Sequence, residues 1–146
     1  MKKFVRIIIE AQPGKYLLTR EIREGIAEHD KWNFPGGQVE EGEAVEAAAA
    51  RELKEETNLE AKDLKLIHHA PIEFSFGARE GFFFTATADL NDLRLLESDK
   101  CLEYAYLSPN EMKDRDTSSS VKEILRTHVL ASGNIRHLIE GRAHKR

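Results

Sequence analysis

Gly37-Gln38-Val39-Glu40-Glu41-Gly42-Glu43-Ala44-Val45-Glu46-Ala47-Ala48-Ala49-Ala50-Arg51-Glu52-Leu53-Lys54-Glu55-Glu56-Thr57-Asn58-Leu59 is the stretch on which the fold of this chain turns. From Glu43 to Thr57 it is dense in Ala, Leu, Glu, Lys and Arg, all strong helix formers. Val45, Ala48, Ala49 and Leu53 recur at i, i+3, i+4 and i+8, an apolar stripe along one face of a helix. Asn58 then suits the left-handed conformation that commonly ends a helix. Glu52, Glu55 and Glu56 share another face, with Cβ atoms about 5–6 Å apart. The spacing predicts a carboxylate face that need not enter the core. Three like charges so close repel each other unless a cation lies among them, and carboxylate oxygens are the preferred ligands of a hard divalent ion. For the trio alone, a solvated glutamate face is the plainer alternative.

Working outward, Pro35-Gly36-Gly37 precedes the helix, and two glycines let backbone approach a ligand closely. Phe4–Ala11 and Lys15–Arg20 have strand character and flank a Gln12-Pro13-Gly14 turn, which predicts a hairpin. Glu21–Lys31 is charged and unpatterned, as a loop would be. Beyond the helix, strands are expected at Leu64–His69, Ile72–Phe76, Phe82–Ala88 and Leu102–Leu107, with a turn at Gly77–Gly81. Ser108 and Pro109 open a short helix. Ser118–Ser120 cap a longer one from Val121 to about Leu130, with Ile124, Leu125 and His128 on one side, and Arg142–Arg146 forms a basic frayed tail. An α/β fold with a mixed sheet covered by helices fits this order.

The quoted stretch resembles the Nudix box: Gly, five residues, Glu, seven residues, Arg-Glu, an aliphatic, any residue, Glu-Glu, any residue, Gly, an aliphatic. Gly37, Glu43, Arg51, Glu52, Leu53, Glu55, Glu56 and Leu59 match. Asn58 stands where Gly is usual, and Asn is the next best residue at a left-handed helix end. The resemblance implies a Nudix-type α/β/α sandwich with a mixed β-sheet, with residues 1–146 as one hydrolase domain. It implies divalent-metal-dependent hydrolysis of a phosphoanhydride bond in a nucleoside diphosphate linked to another group. A (deoxy)nucleoside triphosphate is the expected substrate, in the manner of MutT-like members. Glu52, Glu55 and Glu56 would be catalytic and hold Mg²⁺, with Mn²⁺ as a substitute, and one of them would act on the attacking water. Gly36 or Gly37 would offer the metal a backbone carbonyl. Arg51, also catalytic, and Glu43 would orient this group, and Asn58 would be structural.

Many family members carry a further Glu in a downstream Glu-x-x-Glu-x-x-Trp-like stretch. Here the similar residues are Lys100-Cys101-Leu102-Glu103-Tyr104-Ala105-Tyr106, with Lys100 at the first Glu position. Glu97, Asp99, Glu103 or a box glutamate would then supply the base. Lys100 would contact a phosphate or be a solvated loop residue.

Trp32, Phe34, Phe74, Phe76, Tyr104 and Tyr106 are candidates to stack on a base, although core packing explains Phe34 and Phe82–Phe84 more simply. Arg20, Arg23, Lys31 and Arg79 are candidate phosphate contacts or surface charges. With Trp32, Arg20, Lys100 and Glu103 form the expected substrate-binding group. Leu17-Leu18-Thr19-Arg20 is only faintly similar to the upstream motif of coenzyme A-cleaving members. The alternatives are a non-catalytic Nudix-fold nucleotide sensor and a nucleotide-sugar or ADP-ribose pyrophosphatase. An isomerase of prenyl diphosphates ranks lower.

The chain has 146 residues, 33% charged and 40% hydrophobic, with a formal net charge of −4. That is one domain's worth of globular sequence. The negative balance disfavours a broad grip on nucleic acid. No run of about 18 apolar residues is present, so no membrane partner is expected. The single cysteine, Cys101, cannot form an internal disulfide, and a cytoplasmic location is the default. With no helix start or histidine beside it, Cys101 fits a strand residue better than a nucleophile. A homodimer is left open.

Overall fold

The computed structural model describes residues 1–22 and 30–138; Arg23 and the basic Arg142–Arg146 segment lie outside them. The central strand is β1 (Lys3–Gln12). Its neighbours are β2 (Lys15–Glu21), β4 (Gly36–Gln38) and β6 (Gly77–Thr87). β3 (Lys31–Asn33) and β7 (Cys101–Leu107) flank β2, and β5 (Lys62–Phe74) flanks β6. These seven strands run in the order β3-β2-β1-β6-β5, with β4 also on β1 and β7 also on β2. β1 and β6 are parallel, whereas the other pairs are antiparallel, so the sheet is mixed.

β1 is buried almost throughout because both of its faces are covered. Val5, Ile7 and Ile9 pack with Ala48, Ala49, Leu53 and Leu59 around helix α1 (Val45–Thr57). Phe4 and Ile8 point the other way, toward Phe34, Phe83, Met112, Val121 and Ile124. That second layer contains α2 (Pro109–Lys113) and α3 (Ser119–Thr127). Helix, sheet and helix therefore stack as the expected α/β/α sandwich. The Ser108 cap is real: its hydroxyl accepts from Glu111 N, and the Glu111 carboxylate accepts from Ser108 N, a capping box.

Four local expectations need correction. Leu64–His69 and Ile72–Phe76 belong to the single long strand β5, up to Phe74, because β5 is an edge strand and tolerates Pro71. The turn lies at Ser75 and Phe76, so Gly77–Gly81 opens β6. Glu21 ends β2 and Lys31 opens β3, so both ends of the expected Glu21–Lys31 loop are strand residues. The last helix stops at Thr127, since His128 is extended (φ −135°, ψ 153°) and begins a hairpin of β8 (His128–Ala131) and β9 (Asn134–His137). Gly133, at φ 66°, makes its turn.

Asn58 caps α1 in the left-handed region (φ 66°), and its side chain donates to the Asp92 carbonyl at 2.9 Å. Asn58→Gly is therefore expected to be near neutral, one change offsetting the other. Asn58→Ala is expected to cost about 1 kcal/mol, read from urea midpoints.

Candidate active site

β4 and α1 together build an acidic cleft. β1 and β2 pair only near their hairpin, at Glu10↔Tyr16 and Gln12↔Lys15. Farther along, Phe4–Arg6 instead pairs with Gly36–Gln38. This places Gly36 and Gly37 so close to their neighbours that neither has room for a side chain. A Cβ on Gly36 would collide with the Val5 carbonyl, and one on Gly37 with the Glu52 carboxylate. The cleft beside them is lined by Gly37, Glu52, Glu55, Glu56, Glu97 and Lys100, among others.

Arg51 holds the acidic face together. Its guanidinium donates to Glu43 at 2.7 and 2.9 Å, to Glu52 at 2.9 Å, to Glu55 at 3.1 Å and to the Gln38 carbonyl at 3.1 Å. Glu43 in turn accepts from Glu40 N at 2.9 Å, fixing the loop before the helix. Hydrogen bonds from Arg51, then from the Glu40 backbone, lower the Glu43 carboxyl to about 2. Glu52 behaves oppositely. Burial pushes its carboxyl above the usual range, and Glu55 and Glu97 add to this against the pull of Arg51.

Glu56 does not fit the alternative of a merely solvated face: it is only 4% exposed. It lies beside Glu21 and Cys101, both buried, with one ligand atom of each within 4.8 Å of the other two. Arg6 reaches this group from β1, donating to Glu21 at 3.1 Å and to the Phe34 carbonyl at 3.0 Å. The Thr19 hydroxyl sits 3.3 Å from Glu21 and 3.5 Å from Glu56. Burial, followed by the charges of Glu56 and Glu21, pushes the Cys101 thiol up, which favours its protonated form. Glu97 arrives through a turn anchored on α1: Leu96 N donates to the Glu56 carbonyl, and Lys100 N and Cys101 N both donate to the Glu97 carbonyl.

A smaller pocket adjoins the cleft and shares Lys3, Gly37 and Gln38 with it. Arg6, Asn33, Phe74, Phe76 and Arg79 line it. The Phe74 and Phe76 rings are stacked, with centroids 5.0 Å apart, and the Arg79 guanidinium lies 4.7 Å above Phe76. Among the described residues, the buried side-chain atoms without a hydrogen-bond partner are Arg6 Nε and Asn33 Oδ1, both from residues on this pocket.

The box residues Gly36, Gly37, Glu43, Arg51, Glu52, Glu55 and Glu56 thus meet at one cleft, and Lys100 joins them. The other expected substrate residues do not line it. Trp32 is buried in the core on the α3 side, with the Arg115 guanidinium 5.1 Å above its ring. Arg20 pairs with Asp30 and Glu103, because the β2–β7 register sets Arg20 opposite Glu103. Sequence reasoning missed Arg6, Thr19, Glu21 and Asn33. Arg6 carried a usable signal, since a charge inside an otherwise buried strand demands a buried partner.

The family model for the NUDIX domain matches residues 2–127, and the chain belongs to the Nudix family. Over 72 residues it is 40% identical to the oxidized purine nucleoside triphosphate hydrolase of Danio rerio, covering 49% of this chain and 45% of that protein. The chain thus matches less than half the length of that relative. The fold is similar to that of a MutT NUDIX hydrolase from Burkholderia pseudomallei (TM-score 0.76, 20% identity, 86% of this chain and 95% of that one). A NUDIX hydrolase from Nitrosomonas europaea is 26% identical, with a TM-score of 0.70 and 84% of each chain covered. Hydrolases of this family depend on divalent metal ions.

Removing the central cation tests the electrostatic account. Arg51→Ala leaves half-buried Glu52 beside Glu55 without a counter-charge. It is expected to cost about 2 kcal/mol in urea denaturation without added metal, and part of that loss should be restored by millimolar-range Mg²⁺.

Proposed function

We propose that this chain is a divalent-metal-dependent pyrophosphohydrolase acting on a nucleoside triphosphate. The observation that carries the proposal is the junction of two pockets at Gly37 and Gln38, one acidic and one aromatic with unpartnered buried polar atoms. A nucleotide has the matching polarity: phosphates that need cations at one end, and a flat base with polar edges at the other.

The residues fit a hard divalent ion. Glu52, Glu55 and Glu56 offer oxygen donors from one helix, Gly37 leaves room for the Glu52 carboxylate, and Glu97 adds a carboxylate from the facing turn. This donor set suits Mg²⁺, with Mn²⁺ as a substitute. Bound there, the ion would supply neutralisation of phosphate charge and a more acidic bound water. Arg51 keeps Glu52 and Glu55 in place. Lys3 and Lys100, at the cleft margin, counter the remaining phosphate charge. Glu97 is our assignment for the base that takes a proton from the attacking water as an anhydride P–O bond breaks. Its charge reaches Glu52, and it stands in the cleft, whereas Glu103 is turned to Arg20.

In the adjoining pocket, Asn33 Oδ1 and Arg6 Nε would read the polar edge of the base, and Phe74 would pack against its plane. The Danio rerio relative, named for oxidized purine nucleoside triphosphates, makes an oxidised purine the first substrate to try.

Pyrophosphate or phosphate release from nucleoside triphosphates, oxidised purine forms, nucleotide sugars, ADP-ribose and dinucleoside polyphosphates, with and without Mg²⁺, tests the assignment. Triphosphates are expected to turn over only with metal. Glu55→Gln and Glu56→Gln should each keep the fold and lower turnover by on the order of 100-fold or more; unchanged turnover in both would defeat the metal assignment. Asn33→Ala should lower kcat/KM by about 10- to 100-fold and flatten the preference among bases, while the Mg²⁺ dependence stays as it was.

A further inference from the structure

On the α3 side of the sheet, away from the acidic cleft, three histidines converge. His68 comes from β5 and touches Phe83 of the α3-side core. His128 opens β8 and His137 closes β9, and the hairpin register sets these two opposite each other. Ring centroids are 4.9 Å apart for His128 and His137, 5.1 Å for His68 and His128, and 6.3 Å for His68 and His137. One ring nitrogen from each lies within 4.8 Å of the other two. His128 is buried, and the others are half-buried.

Neighbouring groups orient two of the rings. The Thr127 hydroxyl donates to the Glu123 carbonyl at 2.8 Å, so its hydrogen is committed. At its 2.8 Å contact with His128 Nδ1 the hydroxyl oxygen must therefore accept, which puts the ring hydrogen on Nδ1 and leaves a lone pair on Nε2. His68 Nε2 lies 2.7 Å from Glu123 Oε2, while Arg126 donates to Glu123 Oε1 at 2.7 Å. In the neutral ring, Nε2 donates to Glu123 and the lone pair lies on Nδ1. A carboxylate that holds one nitrogen of an imidazole while the other binds metal is the usual outer arrangement of a histidine-metal site.

We propose that His68, His128 and His137 form a second metal site for an imidazole-preferring ion of the Zn²⁺ class, with Glu123 as a positioning residue for His68. Nitrogen donors separate this site from the all-oxygen set in the cleft, which suits Mg²⁺. A Zn–N bond of about 2.0–2.1 Å sets tetrahedral ligand nitrogens about 3.4 Å apart, so the three rings, whose nitrogens lie within 4.8 Å of one another, would close inward on the ion. Water would complete the shell. The ion would tie the β8–β9 hairpin to β5, two segments far apart in the chain.

The test uses the full chain without a histidine tag, stripped with a chelator and dialysed against limiting Zn²⁺ in excess Mg²⁺. Metal analysis is expected to find one tightly held Zn²⁺ per chain, and Zn²⁺ should raise the melting temperature. His137→Ala should lose both effects, and His68→Gln answers the same question if His137→Ala unfolds. Glu123→Gln should weaken Zn²⁺ by about 10- to 100-fold. Glu55→Gln, in the cleft, and Cys101→Ser, beside Glu21 and Glu56, should keep it. A wild-type chain that retains no Zn²⁺, a folded His137→Ala or His68→Gln that binds as well as wild type, or loss of Zn²⁺ in Glu55→Gln or Cys101→Ser would overturn the proposal.

Discussion

The repulsion among carboxylates gathered on α1 is the constraint around which the cleft is organised. Glu52, Glu55 and Glu56 share a helix face, and Glu43 and Glu97 come close from outside it. One guanidinium, Arg51, offsets much of this charge through contacts with Glu43, Glu52 and Glu55. Arginine suits the position because its planar fork serves several acceptors at once and stays charged. It also binds the Gln38 carbonyl, so the same side chain that steadies the glutamates fixes the loop bringing Gly37 against Glu52.

A second charge balance lies beneath the first. Arg6 reaches from the central strand to Glu21, and Thr19 bridges toward Glu56. Buried ionised groups persist only where they are paired. This pairing allows Glu56 to line the cleft from a buried position, while its helix neighbours Glu52 and Glu55 are less buried there. Arg6 also lines the aromatic pocket, so one residue of β1 links the floor of the acidic site to the place where the base is proposed to sit.

The local signals that proved reliable have local physical causes. The helix expected over Glu43–Thr57 and found from Val45 on, its left-handed end at Asn58, the Ser108 cap and the first hairpin depend on residues a few positions apart. The errors came from elements whose state depends on distant partners. Pro71 marks a break only if its strand is central, and the order of the sheet makes β5 an edge. The segment after Thr127 has helix-compatible residues, but pairing of His128–Ala131 with Asn134–His137 and packing against β5 draw it into a hairpin. Trp32 was one of the candidates to stack on a base. The sheet instead turns it toward the core under Arg115.

Sequence alone determined the family, the acidic helix and the glycines that crowd it, because a spacing of three and four residues means the same thing in any α-helix and a glycine pair signals close approach wherever it falls. Tertiary structure decided which of those carboxylates is buried, which distant side chains join them, and where a base could lie. Arg6, Thr19, Glu21 and Asn33 acquire their meaning only when β1, β2 and β3 are laid beside one another, since the energy of a buried charge or an unpaired carboxamide is set by neighbours that are remote along the chain.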